Sequence, residues 1–133
     1  MKNLFLSLGF ILGSTLAYSQ SFQLSSHILD ISKGMPAPGV QIRLEKMDTN
    51  KKTWSMIEEK VTDANGRISD FLSSERSNNG IYKLTYLTAD YFKSQNIESF
   101  YPFIEVVFQI NDSKHYHVPI TLSAYGYSTY RGN

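Results

Sequence analysis

The sequence predicts an all-β fold, either a sandwich or a barrel, with one short helix. Three segments alternate apolar and polar residues, which is the period of two expected where successive side chains point to opposite faces of a sheet. These segments are residues 40–45, 104–110 and 115–122. Turn-forming segments rich in Gly, Pro, Asn and Asp separate the strands, with spacings of about ten residues that are typical of sandwiches and barrels. The turn segments are residues 33–39, 63–66, 78–80 and 111–113.

Each alternating segment has one apolar face, which we expect to form the core. The predicted core residues are Val40, Ile42, Leu44, Ile104, Val106, Phe108, Ile110, Tyr116, Val118, Ile120 and Leu122.

One segment departs from the strand pattern. Thr88 is a candidate N-cap residue, and Asp90 places an acid in the first turn of a possible helix. The residues that follow, up to Gln95, favour a helical conformation. The sequence therefore predicts a short helix near residues 88–96.

The length and composition restrict the classes of function. A chain of 133 residues fits one domain. Thirteen basic and twelve acidic residues give a formal charge of +1, which supplies no long-range field for nucleic acid or an anionic membrane, and we expect neither as a partner. The lack of cysteine excludes disulfides, thiolate nucleophiles and cysteine-based zinc sites.

The first 19 residues predict a cleaved secretory signal peptide. Lys2 supplies a positive start, an apolar run extends from Leu4 to Leu12, and Ala17 and Ser19 fit a small-x-small cleavage pattern. The run is shorter than the ~20 apolar residues that span a bilayer. The alternative is a buried N-terminal helix. We expect cleavage after Ser19, leaving one domain over residues 20–133 that is exported, periplasmic in a bacterium and secreted otherwise.

Three histidines are the candidates for a group that titrates near neutral pH. Alternation places His115 and His117 on the face opposite Val118, and it places His27 on the face opposite Ile28. All three side chains are therefore expected to point away from the core.

Other interpretations of these residues remain open. For any single histidine, the alternative is a solvated surface residue. His115 and His117, two residues apart on a strand, could instead bind zinc or copper, although no third ligand lies nearby in the sequence. Arg67 follows an Asn65-Gly66 turn, where an arginine is usually a solvated strand end.

Four blocks of the sequence resemble the 5-hydroxyisourate hydrolases of the transthyretin-like family. The terminal Tyr-Arg-Gly block is the most specific, because it separates these hydrolases from thyroid-hormone-binding transthyretin. The four blocks are Leu24–Val40, Asp63–Ile68, Gly80–Phe108 and His115–Asn133.

The resemblance implies a fold and an assembly. The fold is a transthyretin-like two-sheet β-sandwich with one short helix. The implied assembly is a homotetramer, a dimer of dimers with its sites at the interface between the dimers. No cofactor and no metal are expected.

The resemblance also implies an activity, the hydrolysis of the cyclic amide of 5-hydroxyisourate to 2-oxo-4-hydroxy-4-carboxy-5-ureidoimidazoline in urate degradation. His27, Arg67 and His117 occupy the family's catalytic positions. A histidine would take a proton from water, and Arg67 would stabilise the developing negative charge or anchor the substrate. Which histidine is the base stays open, and His115 is expected to flank the site. The residues expected to close the substrate site are Ser128, Tyr130, Arg131, Gly132 and Asn133.

The sequence departs from the family pattern at three positions. Asn133 stands where serine is usual, Ala124 where proline is usual, and Thr121 where leucine is usual. Two alternative functions remain: a transthyretin-like protein that binds a small ligand without turning it over, and a metal-binding sandwich that uses His115 and His117.

Overall fold

The computed structural model describes residues 21–133, so the predicted signal peptide lies outside the described residues. Within this range the chain forms nine strands and one helix. In chain order they are β1 (Phe22–Asp30), β2 (Met35–Pro36), β3 (Gln41–Asp48), β4 (Thr53–Val61), β5 (Arg67–Ser73), β6 (Gly80–Leu87), α1 (Ala89–Lys93), β7 (Ile104–Ile110), β8 (Tyr116–Ser123) and β9 (Gly126–Thr129).

The strands form two sheets. One sheet has the order β4-β3-β6-β7, and all of its neighbouring strands are antiparallel. The other has the order β2-β1-β8-β9, with β5 also paired to β1. In this second sheet β1 and β8 are parallel, and the other pairs are antiparallel. The prediction of an all-β two-sheet fold with one short helix is confirmed.

The apolar faces of both sheets contribute to one buried cluster. Of the predicted core residues, all are buried except Phe108, which is half-buried and stacks on Tyr82 with the ring centroids 5.9 Å apart. The alternating pattern therefore identified which side of each strand faces inward. The opposite side of the β1 and β8 sheet remains free for polar side chains, and we call it the outer face.

The helix is shorter than predicted. It occupies only Ala89–Lys93, and it is anchored by the buried side chain of Phe92. Thr88 is at the N-cap, but its backbone is helical rather than extended and its side chain makes no capping hydrogen bond. Asn96 then adopts a left-handed conformation (φ 56°), which ends the helical path. The described residues contain no helix that is long and apolar enough to cross a membrane.

Candidate active site

The candidate site lies on the outer face, where β1 has β5 on one side and β8 on the other. His27 pairs directly with Arg67 of β5, and Ser25 pairs directly with His117 of β8. Side chains at directly paired positions on one face lie about 5 Å apart at their Cβ atoms. The register of three strands therefore gathers the two histidines and the arginine, which the sequence separates widely, into one polar patch.

A tight turn before β5 positions Arg67. The Asp63 carboxylate accepts hydrogen bonds from the amides of Asn65 (2.8 Å) and Arg67 (3.0 Å). Gly66 has φ 69°, and a Cβ there would lie 2.7 Å from the Ile28 carbonyl oxygen. The amide of Ile28 donates to the Gly66 carbonyl (2.9 Å). Glycine thus lets the turn pack directly on β1, which places Arg67 beside His27.

A bulge in β5 keeps Arg67 on the outer face. Leu24 pairs with Phe71 but Ser26, two residues later, pairs with Ile68, so β5 contains one extra residue between these pairs. An extra residue shifts the alternation of a strand by one position. Phe71 and Ile68 can therefore both be buried although they are three residues apart, and Arg67 points outward.

The inward side of β1 fixes the strand beneath the site. The hydroxyl of Ser26, which is fully buried, donates to the Val118 carbonyl (2.8 Å) and also bonds the Tyr86 hydroxyl of the other sheet (2.8 Å). Ser26 lies between Ser25 and His27, so this buried network fixes the backbone from which both outward side chains extend.

The carboxy-terminal tail returns to β8 and covers His117. β9 ends at Thr129, which pairs with Ile120 of β8. The next position of β8 in the ladder is Pro119, which has no amide N–H to continue it. The tail pairs with β8 again at Gly132, whose amide donates to the His117 carbonyl (2.8 Å). A Cβ on Gly132 would lie only 2.5 Å from His117 Cδ2. The backbone of the tail thus packs closely against the imidazole.

A hydrogen-bond chain on the outer face holds the His117 ring from the other side. Ser25 Oγ lies 2.7 Å from His117 Nδ1 and 2.9 Å from His115 Nε2. His115 Nδ1 in turn lies 3.1 Å from the carbonyl oxygen of Phe22. The sequence pattern predicts His115 only as a flank of the site and does not identify Ser25 as a functional residue. The sequence does contain a signal for Ser25, because Ser25 precedes His27 by two residues and alternation places both on the same face of β1.

The pKa of His27 is lowered from its ordinary value of 6.5. Partial burial is the largest cause, and the positive charge of Arg67 adds to it. A hydrogen bond to the Asn65 backbone and the negative charge of Asp63 act in the opposite direction. The imidazole is therefore neutral at neutral pH and can accept a proton.

The pKa of His117 is also lowered from 6.5. Partial burial again contributes most, followed by the charge of Arg67 and then by His27 and His115, while a hydrogen bond to the Ser25 backbone raises the pKa. Arg67 is thus close enough to act electrostatically on both catalytic candidates. The site holds two neutral bases beside one fixed cation.

The Arg131 side chain does not join this patch. Its guanidinium carbon lies 4.4 Å from the centroid of the Tyr116 ring, on the side of β8 opposite His117. Gly132 is paired with His117, so the preceding residue must point the other way. Within this chain the Arg131 side chain therefore packs on an aromatic ring, apart from the patch that His27, Arg67 and His117 form.

The remaining tail residues lie on or near the outer face. Ser128 pairs with Thr121, and their hydroxyls are 2.6 Å apart. Tyr130 lies midway between Ser128 and Gly132, and its side chain is exposed. Alternation therefore puts it on the same face. Asn133 is exposed at the end of the chain.

The outer face is open in the single chain. A cleft of about 360 Å³ lies near Gln23 and Asn78, and another of about 240 Å³ lies between β7 and the tail. Neither is lined by His27, Arg67 or His117. Within residues 21–133 no three His, Asp or Glu side chains are grouped so that they could hold a metal ion. The His115 and His117 pair thus has no third protein ligand there.

Comparison with known proteins identifies the family. The family model described as the HIUase/Transthyretin family matches residues 24–132. The chain belongs to this family. It is 51% identical over 112 residues to a Caenorhabditis elegans protein named a probable 5-hydroxyisourate hydrolase, and the match covers 83% of this chain and 81% of the relative.

Two solved structures show how the fold is shared. The 5-hydroxyisourate hydrolase of Klebsiella pneumoniae matches with a TM-score of 0.71 and 38% identity, covering 83% of this chain and 98% of that one. Sea bream transthyretin in complex with thyroxine matches with a TM-score of 0.77 and 29% identity, covering 83% and 94%. Because a hydrolase and a transthyretin in complex with thyroxine both share this backbone, the fold alone does not decide between their functions, and the side chains on the outer face must do so.

Proposed function

We propose that this chain is a hydrolase that opens the cyclic amide ring of 5-hydroxyisourate. The observation that carries the proposal is the outer-face patch, in which His27 and His117 have lowered pKa values and lie within electrostatic reach of Arg67. The names of the relatives support the substrate. A pocket for a hydrophobic hormone would gain nothing from three polar groups that lose their water on binding.

The patch suits attack by water on an amide carbonyl. Water is a poor nucleophile, so a neutral imidazole is needed to take its proton as the new C–O bond forms. The carbonyl oxygen then gains negative charge, and a fixed donor such as the Arg67 guanidinium stabilises it by roughly 3–4 kcal/mol. The imidazolium that forms then passes this proton to the ring nitrogen as the C–N bond breaks, and the second histidine can orient the water. His27, Arg67 and His117 are the catalytic residues in this proposal.

The tail residues are proposed to bound the substrate site. Gly132 lets the tail backbone pack against the His117 ring, and the hydroxyls of Ser128 and Tyr130 and the amide of Asn133 supply hydrogen-bonding groups at the edge of the patch. Arg131 belongs to the same proposed substrate-binding block, and within this chain its side chain packs on the Tyr116 ring.

The test is the decay of 5-hydroxyisourate generated in situ by urate oxidase and followed by absorbance. We expect the protein to accelerate this decay, and we expect His117→Ala and Arg67→Ala to lose the acceleration while remaining folded. Arg43→Ala is the matched control, because Arg43 is paired to Glu59 on the other sheet. A wild-type protein that binds a purine-like ligand but gives no acceleration would favour the ligand-binding alternative.

We also propose a homotetramer with its sites at the interface between dimers. The patch is open in one chain, and half-buried Leu29 and exposed Ile31 and Tyr130 give the surrounding surface apolar area that a second subunit could bury. Light scattering coupled to gel filtration should give four times the mass of the mature chain. A monomer that retains full activity would contradict this proposal.

Export is proposed on the N-terminal sequence alone. Cleavage after Ser19 would leave Gln20 as the first residue, and mass spectrometry of the protein from its native host should show this terminus. An intact Met1 would contradict the signal peptide.

A further inference from the structure

The hydrogen-bond chain from Phe22 to His117 fixes more than the orientation of the rings. It contains three contacts between four groups, and its first group is a backbone carbonyl that can only accept a hydrogen bond. The direction of every bond in the chain can therefore be worked out from that end.

The first step assigns the proton of His115. Its Nδ1 lies 3.1 Å from the Phe22 carbonyl oxygen, so Nδ1 must carry the hydrogen. A neutral imidazole has only one N–H, and His115 Nε2 is then a bare acceptor. The contact of 2.9 Å between His115 Nε2 and Ser25 Oγ requires the serine hydroxyl to donate.

The second step assigns the proton of His117. Ser25 has a single hydroxyl hydrogen, which is already given to His115. The contact of 2.7 Å between Ser25 Oγ and His117 Nδ1 therefore requires His117 Nδ1 to donate. The opposite assignment would leave two lone pairs facing each other at 2.9 Å between Ser25 and His115. Only one arrangement of neutral rings satisfies all three contacts.

We propose that Ser25 and His115 are positioning residues that hold His117 in the Nδ1–H tautomer, so that its Nε2 lone pair is free to accept a proton from water. The inference rests on the proposed hydrolysis for its functional meaning, and it assigns His117 rather than His27 as the residue prepared to act as the general base. Ser25 stabilises the imidazolium as well, because Nδ1 keeps its acceptor after Nε2 has been protonated.

The packing of the tail prevents the His117 ring from flipping, so the tautomer decides whether Nε2 can act as a base. Gly132 lies against Cδ2 of the His117 ring, on the edge next to Nε2, so the ring is fixed by the Ser25 hydrogen bond on one edge and by backbone contact on another. A ring that cannot turn cannot exchange the two nitrogens by flipping. The wrong tautomer would present an N–H to the water and leave no base there.

The direct test is long-range ¹H–¹⁵N NMR of the uniformly ¹⁵N-labelled mature protein near neutral pH. The nitrogen shifts distinguish the two tautomers of each histidine. The signals of His115 also report whether its ring is neutral, because a doubly protonated His115 would donate to Ser25 and so reverse the direction of that hydrogen bond. We expect His117 to be protonated on Nδ1 and bare on Nε2. In Ser25→Ala we expect the Nε2–H tautomer of His117 to appear.

The kinetic test uses three variants. Ser25→Ala should lower kcat by at least about ten-fold, up to the roughly 10²–10⁴-fold that a positioned base contributes, with a smaller change in KM. Ser25→Thr retains a hydroxyl and should restore most of the rate. His115→Phe removes the acceptor that orients Ser25 and should also lower kcat. Ser55→Ala, on the other sheet, is the control for loss of a serine hydroxyl.

Two results would overturn the inference. One is wild-type His117 protonated on Nε2 near neutral pH, whatever the protonation of His115, and the other is an unchanged tautomer and kcat in Ser25→Ala. A wild-type protein that fails to accelerate 5-hydroxyisourate decay would refute the proposed function instead. The NMR measurement needs no substrate, so the two failures can be told apart.

Discussion

Replacing Gly132 by alanine tests whether the tail must approach the His117 ring as closely as it does. The new Cβ would lie 2.5 Å from His117 Cδ2, 3.2 Å from Cγ and 3.3 Å from Cβ. Carbon atoms in contact are normally about 3.5–4.0 Å apart, so the ring or the tail must move by about 1 Å or more. A misplacement of about 1 Å in a catalytic group costs about a hundred-fold in rate, which corresponds to about 2.7 kcal/mol of transition-state stabilisation.

The assay is the absorbance decay of 5-hydroxyisourate at saturating and limiting substrate, compared between Gly132→Ala and a matched variant, Gly126→Ala. Gly126 lies in the same terminal hairpin, but a Cβ there would be 3.8 Å from its nearest neighbour, the Ser123 hydroxyl. We expect Gly126→Ala to retain activity and Gly132→Ala to lose about a hundred-fold with little change in unfolding temperature, because Gly132 lies in an isolated bridge to β8 rather than in a long ladder. Equal rates in the two variants would refute the argument that the site depends on this contact.

Three further predictions follow from the site. The activity should fall as the pH drops through a value below 6.5, because His27 and His117 have lowered pKa values and lose their basic form only there. In Arg67→Gln, an NMR titration should find the pKa values of both histidines raised relative to the wild type, and unmoved values would contradict the electrostatic role of Arg67. Gly66→Ala should lose more unfolding free energy in urea than Gly39→Ala. Both residues have positive φ, a strain of about 1–2 kcal/mol for alanine, but only at Gly66 would the Cβ also meet backbone atoms, one of them at 2.7 Å. Chelators should leave the hydrolysis unchanged, whereas loss on chelation and recovery with zinc would favour the metal-binding alternative.

The lowered histidine pKa values also affect folding stability, with a definite sign. Each histidine binds a proton less readily in the folded chain than in the unfolded chain, whose value is near 6.5. The contribution to stability is therefore complete above pH 6.5 and is lost as the pH falls through the folded-state pKa. This window coincides with the acidic limb of the activity, so unfolding must be measured alongside rate.

Alternation alone predicted much of what matters at the site. It placed the histidines on the face opposite the core. The same rule applies to the tail: Gly132 pairs with His117, so the side chain of the preceding residue, Arg131, points to the opposite face. What alternation could not supply was the partner of each strand. The parallel pairing that joins Ser25 to His117 connects residues 92 positions apart, and nothing local in either strand encodes that register.

The bulge in β5 could not be predicted from its own segment, because it too depends on the pairing with another strand. The segment from Arg67 to Phe71 begins as a strand whose alternation would bury every second residue, yet Ile68 and Phe71 are both buried. Only the pairing with Leu24 and Ser26 of β1 shows why the extra residue is needed. The proposal of His27, Arg67 and His117 as catalytic residues rests on resemblance to the family, and the structure shows which residues hold them in place.

Arg67 affects three stages of the proposed reaction through one charge. Before the reaction, its guanidinium disfavours protonation of His27 and His117 and so keeps a base available at neutral pH. As water attacks, the same charge stabilises the oxyanion. The imidazolium that forms on proton transfer then lies near a second cation, and this repulsion favours passing the proton on to the departing ring nitrogen. A neutral residue of similar size at position 67 would lose all three effects together, which is why its removal should cost more than the loss of a single hydrogen bond.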